Sequence, residues 1–277
     1  MTRYADLHIH TNYSDSTLTP FEVVEQAYKN DIYCISITDH DTFEGVALAI
    51  EAAKKYGIEV ISGIELSSVL NGKDVHILGY LFDHVNEEFT NRLMCMQDTR
   101  VGRMQKMINK LKDLGIDNIE LEEVCNLAET RSVGRPHLAL MLKQKGWVSE
   151  VREAFDKYIA EGAPAYFPKY KQTPYEAIQL INEMGGVAVL AHPMITKIDE
   201  MIPGLVKEGL KGIEVYYPNV SSTIVEFYEG LAAKHGLVAT GGSDSHGNAK
   251  KDIFIGKIKV AYSQVDQLKN KLATNIY

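Results

Sequence analysis

Two histidines stand one residue apart in Asp6-Leu7-His8-Ile9-His10, where a short apolar run ends. Alternate side chains of a strand share a face, so His8 and His10 point the same way and can grip one cation. Alone the pair is a weak signal, because ordinary surface or core histidines fall at this spacing too. Its weight comes from recurrence. Another apolar run ends in Thr38-Asp39-His40-Asp41-Thr42, and a third leads into Gly63-Ile64-Glu65-Leu66-Ser67. A lone carboxylate inside an apolar strand is costly, so Glu65 needs a proton, an ion pair or a metal. His76 lies between Val75 and Ile77, His192 in Ala191-His192-Pro193, and Asp244 and His246 in Gly241-Gly242-Ser243-Asp244-Ser245-His246-Gly247. Asp15 follows the first run in a polar loop. Singly, His76 reads equally well as a hydrogen-bonded core histidine and Asp244 as a turn cap. Together they place imidazole or carboxylate repeatedly where strands finish, and convergent neutral imidazoles and carboxylates are what divalent metals require.

The elements that must bring these groups together read as βα units. Strands are expected over 4–10, 33–38, 59–66, 75–80, 187–191, 212–216, 237–240 and 258–260. Thr19-Pro20-Phe21-Glu22 and Thr173-Pro174-Tyr175-Glu176 are capping boxes that start helices. Further helices are expected over 43–56, with Gly57 as the stop, and over 221–235. This alternation points to a parallel sheet, whose C-terminal strand ends would meet at one site. From 86 to 170 the rhythm breaks into helical, polar sequence punctuated by Gly115, Gly134, Gly146 and Gly162. The expected organisation is therefore a barrel over 1–85 and 171–277, with a helical insertion over 86–170 covering the site.

The 277 residues, 45% hydrophobic and 24% charged, suffice for one α/β barrel with an insertion. A net charge of -8 argues against a broad basic surface for duplex DNA, but not against a small anionic substrate beside bound cations. Cys34, Cys95 and Cys125 form no C-x-x-C pair. No secretory signal or membrane-length apolar run is visible, so the expected location is the cytoplasm.

Taken together, Asp-Leu-His-Ile-His-Thr, Thr-Asp-His-Asp-Thr, Gly-Ile-Glu-Leu-Ser, His-Ile-Leu-Gly-Tyr, Ala-His-Pro and Gly-Gly-Ser-Asp-Ser-His-Gly resemble the PHP (polymerase and histidinol phosphatase) superfamily. The resemblance implies an α/β fold, a distorted (β/α)7 TIM-like barrel holding two to three divalent metals. It implies His8, His10, Glu65 and Asp244 around one metal, with Glu65 bridging to a second held by His76 and His192. Asp15, His40 and His246 would hold a third. Glu65, Asp244 and His192 are the expected catalytic residues. Mixed nitrogen and oxygen ligands suit Mn²⁺, Fe²⁺ or Zn²⁺, and the resemblance favours Mn²⁺.

Gly134-Arg135-Pro136-His137-Leu138-Ala139 is similar to the branch that removes the 3′-phosphate of nucleoside 3′,5′-bisphosphates. Some relatives in that branch also degrade short 5′-phosphorylated RNA from the 5′ end. Arg135 is then the expected clamp for a second phosphate, since a guanidinium meets phosphate oxygens in pairs. His137 is expected to bind phosphate or protonate the leaving oxygen, or else to sit structurally at the helix start. Asp39 and Asp41 either orient imidazoles or cap the loop, and Tyr216 or Tyr217 either stacks on a base or packs in the core. Three alternatives stand beside this reading: a histidinol-phosphate phosphatase, an amidohydrolase attacking a carbonyl carbon, and a non-catalytic module.

Overall fold

A computed structural model describes residues 2–85, 87–127, 133–168, 172–250 and 252–273, with backbone alone over 87–99. The chain divides into two compact units: one of 1–11, 16–86 and 171–277, the other of 12–15 and 87–170. The expected boundaries at 86, 170 and 171, and the chain ends at 1 and 277, lie outside the described residues.

Among the described residues the first unit has nine strands: β1 (Tyr4–Ile9), β2 (Cys34–Ile37), β3 (Glu59–Ile61), β4 (Gly63–Leu70), β5 (Lys73–Tyr80), β6 (Val187–Leu190), β7 (Gly212–Tyr216), β8 (Val238–Gly241) and β9 (Val260–Ala261). They form two mixed sheets, ordered β3-β2-β1-β9 and β4-β5-β6-β7-β8. β1, β2 and β3 are parallel, as are β6, β7 and β8. β9 runs against β1, and β5 runs against both β4 and β6. Isolated parallel bridges at Ile9–Ser245 and His40–Glu65 join one sheet to the other.

This corrects the expectation of a uniformly parallel sheet. The run expected as one strand over 59–66 splits after Ile61 into β3 and β4, which lie in different sheets. β4 and β5 then form a hairpin turned at Asn71-Gly72, both with positive φ (51° and 82°). Asn and Gly tolerate that region best, which is why so tight a return is available here. Because β5 runs backwards, His76 reaches the site from the first half of its strand. The Ala191 amide donates to the His76 carbonyl at 3.1 Å, so His76 lies beside the end of β6.

The helix Pro20–Lys29 starts at a complete Thr19/Glu22 capping box, and Pro174–Glu183 repeats the device with Thr173 and Glu176. Each satisfies amides that a helix start otherwise leaves unpaired. Val23, Val24 and Ala27 of the first helix pack with Ile35, Ile37 and Ala49, which fixes that helix against β2. On β1 every residue from Ala5 to Ile9 is fully buried, although Asp6 and His8 are polar. A strand that hides polar groups on one face needs partners for each of them.

The second unit is helical, with Glu87–Asp113, Leu121–Leu127 and Arg135–Gln144 its longest helices among the described residues. It has its own core, in which Met104, Met107, Ile108 and Leu111 meet Leu138 and Leu142. Among the described residues no helix is long and apolar enough to cross a membrane.

Candidate metal centre

His8 and His10, both fully buried, project from the end of β1 with their Nε2 atoms 3.2 Å apart. His8 Nδ1 donates to Glu214 Oε1 at 2.9 Å. That bond fixes the tautomer and leaves Nε2 as a lone pair aimed inward. Around the two Nε2 atoms stand Glu65 Oε2, at 3.4 and 3.3 Å, and Asp244 Oδ1, at 3.5 and 3.1 Å.

Glu65 is the hub, 1% exposed. Its Oε2 also lies 3.1 Å from His40 Nδ1, while Oε1 meets His76 Nδ1 at 2.8 Å and His192 Nε2 at 3.0 Å. The His40–Glu65 bridge puts it there: the Glu65 amide donates to Asp39 O, and the Asp41 amide donates to Glu65 O. Asp39 accepts from the Thr11 amide and hydroxyl at 2.7 and 2.6 Å, and Asp41 from the Ser67 amide at 2.7 Å. Both flanking aspartates thus brace the loop that presents His40. The ring of His246 lies 4.1 Å from that of His10, and its Nδ1 donates to the Asp244 carbonyl at 2.8 Å.

Three residues at this site hold positive φ without being glycine: Asp41 at 51°, His192 at 26° and Asp244 at 51°. Such conformations are costly and persist where surrounding contacts over-determine them. Burial would hold Glu65 neutral, but His40, His76 and His8 outweigh it and keep its carboxyl well below the usual range. Asp244 is likewise held low against burial by His8, His10 and His246. Burial disfavours charge on His8, yet Glu214, Glu65 and Asp244 raise its pKa well above the ordinary value. The carboxylates therefore demand positive charge at this spot.

These residues fit divalent cations. One ligand atom from each of His8, His10 and Glu65 lies within 4.8 Å of the others, and so for His40, Glu65 and His76, and for His10, His40 and His246. The Nε2 atoms of His8 and His10, 3.2 Å apart, must share either a proton or a metal cation. His192 Nδ1 is buried without a hydrogen-bond partner. Eight of the nine residues in the expected ligand set converge within the first unit. Asp15 falls in the second unit, where it interacts with Arg100 and His137.

Two carboxylates on the strands escaped the sequence reading. Glu214 sits inside the apolar run Gly-Ile-Glu-Val-Tyr, the same signal that singled out Glu65. It is fully buried and also accepts the His192 amide through Oε2 at 2.8 Å. Asp6 ties the Ser243 and Gly256 amides, each at 2.8 Å. Glu214→Gln has one acceptor oxygen for two donors. It must offer an amide N–H either to His8, turning the wrong tautomer inward, or to the His192 N–H. We expect the affinity of metal-stripped protein for Mn²⁺ to fall about 10- to 100-fold, read by calorimetric titration. Unchanged affinity would rule out the orienting role.

Tyr217 donates its phenol to Asp244 Oδ2, and its ring meets His192 edge-on. Tyr216 is half-buried and bonds Glu229. In the second unit Arg135 begins the helix Arg135–Gln144, donates to the Ile159 carbonyl and lies within 5.8 Å of the Phe155 and Tyr166 rings. Arg103 approaches the same Tyr166 ring at 5.9 Å. Burial draws the Arg100 pKa down to about 10, against the attraction of Asp15 and with the repulsion of Arg103. The sequence reading missed Arg100 and Arg103, whose neighbours are set only by helix packing. His137 accepts the Gly134 amide at Nδ1 and bonds the Ser14 backbone, so the main chain engages its ring. Burial pushes its pKa down.

The pattern of the PHP domain family matches residues 6–160. The chain is 31% identical over 255 residues to the 3′,5′-nucleoside bisphosphate phosphatase of Chromobacterium violaceum, covering 90% of each. It is 33% identical over 260 residues to the 5′-3′ exoribonuclease Rnm of Escherichia coli, covering 88% of this chain and 87% of that one. Its fold matches a candidate metal-dependent phosphoesterase from Bifidobacterium adolescentis with a TM-score of 0.86, at 30% identity over 96% of both chains. With the histidine and carboxylate cluster gathered as that chemistry requires, the chain belongs to the PHP domain family and is one of its metal-dependent phosphoesterases.

Proposed function

We propose that this chain hydrolyses the 3′-phosphate of nucleoside 3′,5′-bisphosphates, giving AMP from the adenosine compound. Short 5′-phosphorylated oligoribonucleotides, degraded from the 5′ end, are its second substrate class. The observation that carries this is the cationic group of the second unit. Arg100 and Arg103 repel each other, Arg103 and Arg135 share the Tyr166 ring, and Asp15 is the carboxylate that draws on Arg100. An anionic phosphate relieves that repulsion, and guanidinium groups bind it in pairs. The names of the bisphosphate phosphatase and exoribonuclease relatives support the same substrates.

The ligand assignment is His8, His10, Glu65 and Asp244 for one ion, and Glu65, His76 and His192 for a second. His40 and His246 would serve the third, with Asp15 added from the sequence resemblance. Bound there, two to three divalent cations, Mn²⁺ first and Fe²⁺ or Zn²⁺ next, would neutralise phosphoryl oxygens and lower the pKa of a water. In the reaction the ester P–O bond breaks, water oxygen joins phosphorus and the 3′-oxygen leaves with a proton. Glu65 keeps five imidazoles in register, and Glu214 holds His8 in the tautomer that faces inward. Arg135 and Arg100 hold the 5′-phosphate, and His137 steadies residues 12–15. The bridges at Ile9–Ser245 and His40–Glu65 support reading the two sheets as one distorted (β/α)7 barrel, with 87–170 as its insertion.

Product analysis tests the reading, with Mn²⁺ supplied and adenosine 3′,5′-bisphosphate, 5′-phosphorylated RNA, histidinol phosphate, an amide and a lactone as substrates. Phosphate and AMP are expected from the first. Turnover of only the amide or lactone would make the chain an amidohydrolase, and preference for histidinol phosphate would move it to that phosphatase. Arg135→Ala should raise KM for the bisphosphate about 30-fold, the loss of a charge-assisted bond of about 2 kcal/mol. Turnover of p-nitrophenyl phosphate, which has no second phosphate, should stay nearly constant. Equal effects on both would remove Arg135 from the clamp.

A further inference from the structure

The two oxygens of Asp244 have different surroundings. Oδ1 faces imidazoles, 3.1 Å from His10 Nε2 and 3.5 Å from both His8 Nε2 and His246 Nδ1. Oδ2 accepts two hydrogen bonds, from the Tyr217 phenol at 2.6 Å and the Lys250 ammonium at 2.8 Å. We infer that Tyr217 and Lys250 are positioning residues that lock Oδ2, so that Asp244 offers the metal cluster one oxygen only.

A carboxylate can close on a cation with one oxygen or two, and the choice changes both coordination number and ligand strength. Two donors on one oxygen use its lone pairs and stop the carboxylate rotating. Both bonds involve an ionised partner and are short, so they belong to the stronger class. Asp244 itself is 8% exposed in its side chain, so solvent does little to screen them. The backbone needs the same help. Asp244 holds φ at 51°, and its amide donates to the His8 carbonyl at 2.8 Å. Such a conformation persists where surrounding contacts over-determine it, and the bonds to Oδ2 add to those contacts.

The two donors reach Asp244 from separate elements. Tyr217 directly follows β7, and its ring stands 5.7 Å from that of His192 at 64°, between two residues of the ligand set. Lys250 ends the short turn Gly247–Lys250 that follows His246. The rival view treats Lys250, whose side chain is 39% exposed, as one more surface ion pair of little consequence. That view predicts that its loss changes nothing at the cluster.

The inference rests on Asp244 being a ligand, and the test separates the two. Full-length protein is stripped of metal and titrated with Mn²⁺, with free Mn²⁺ read by electron paramagnetic resonance. Tyr217→Phe and Lys250→Met are each expected to weaken binding about 10-fold, and the double variant about 100-fold. Lys250→Arg, which keeps the charge and the donor, should bind within a few-fold of the parent. Thermal midpoints of the stripped variants should stay close to the parent's. A double variant that binds Mn²⁺ like the parent overturns the inference, as does one whose weaker binding is matched by a collapse in thermal midpoint. Asp244→Asn is the control. If it binds Mn²⁺ normally, the ligand reading itself fails. If it binds weakly while the double variant does not, only the locking role fails.

Discussion

Glu65→Gln is expected to lower kcat/KM on a phosphate monoester at least about 1000-fold, roughly 4 kcal/mol of transition-state stabilisation. The side chain keeps its size, so the fold should survive. What changes is the meeting point of five imidazoles. Oε1 serves His76 and His192, and Oε2 serves His8, His10 and His40. An amide replaces one of those oxygens with a donor and removes the negative charge that the surrounding histidines share. Elemental analysis should show at least one equivalent of metal lost, and excess Mn²⁺ should not restore the rate. Activity within about tenfold of the parent would show that the bridging role belongs to another residue. Chelation of the parent protein should abolish activity, and added Mn²⁺ should restore it, which separates loss of metal from loss of fold.

Gly242→Ala should damage both stability and activity, for a reason that lies in backbone packing. A Cβ at Gly242 would stand 2.3 Å from the His8 amide nitrogen and 2.4 Å from His8 Cβ. These are strand atoms that cannot swing aside, so β1 and the turn after β8 must separate. Three contacts close that seam: Ser243 N to Asp6 Oδ1 at 2.8 Å, Asp244 N to His8 O at 2.8 Å and His10 N to Ser245 O at 3.0 Å. Overpacking of this kind costs about 3 kcal/mol, or about 6–12 °C in thermal midpoint for a chain of this size. The same separation draws Asp244 away from His8 and His10, and a shift of about 1 Å costs about 100-fold in rate. Gly230→Ala is the comparison, because a Cβ there meets nothing within 4 Å and the site lies within the helix Ser222–His235. It should leave the rate alone and leave stability unchanged or slightly higher. A Gly242→Ala protein as stable and active as the parent would show that the seam is looser than these distances imply.

Much of the site is legible in one dimension because its signals are local. Alternation on a strand puts His8 and His10 on one face whatever the rest of the chain does. A capping box needs four consecutive residues, so the helix starts at Pro20 and Pro174 stand where Thr19/Glu22 and Thr173/Glu176 place them. Glu65 betrays itself by being a carboxylate in apolar surroundings, a penalty that any fold must settle. The strand Gly212–Tyr216 begins and ends where the pattern put it.

Direction and partnership are different in kind. Asn71-Gly72 is a local hairpin signal for β4 and β5, but nothing within 59–80 says that β3 leaves them to pair with β2 in another sheet, since that partner lies earlier in the chain. Glu214 carries the same local warning as Glu65, but its partner His8 lies 206 residues away. The grip of Tyr217 and Lys250 on one oxygen of Asp244, and the gathering of Arg100, Arg103 and Arg135, likewise come from packing between separated segments. The amino-acid order therefore settles which residues must find polar or metallic company, because burial penalties and short-range geometry act on each residue where it stands. Which company each one finds, and in what orientation, is left to long-range pairing, where a strand's direction follows from the neighbours it meets in space.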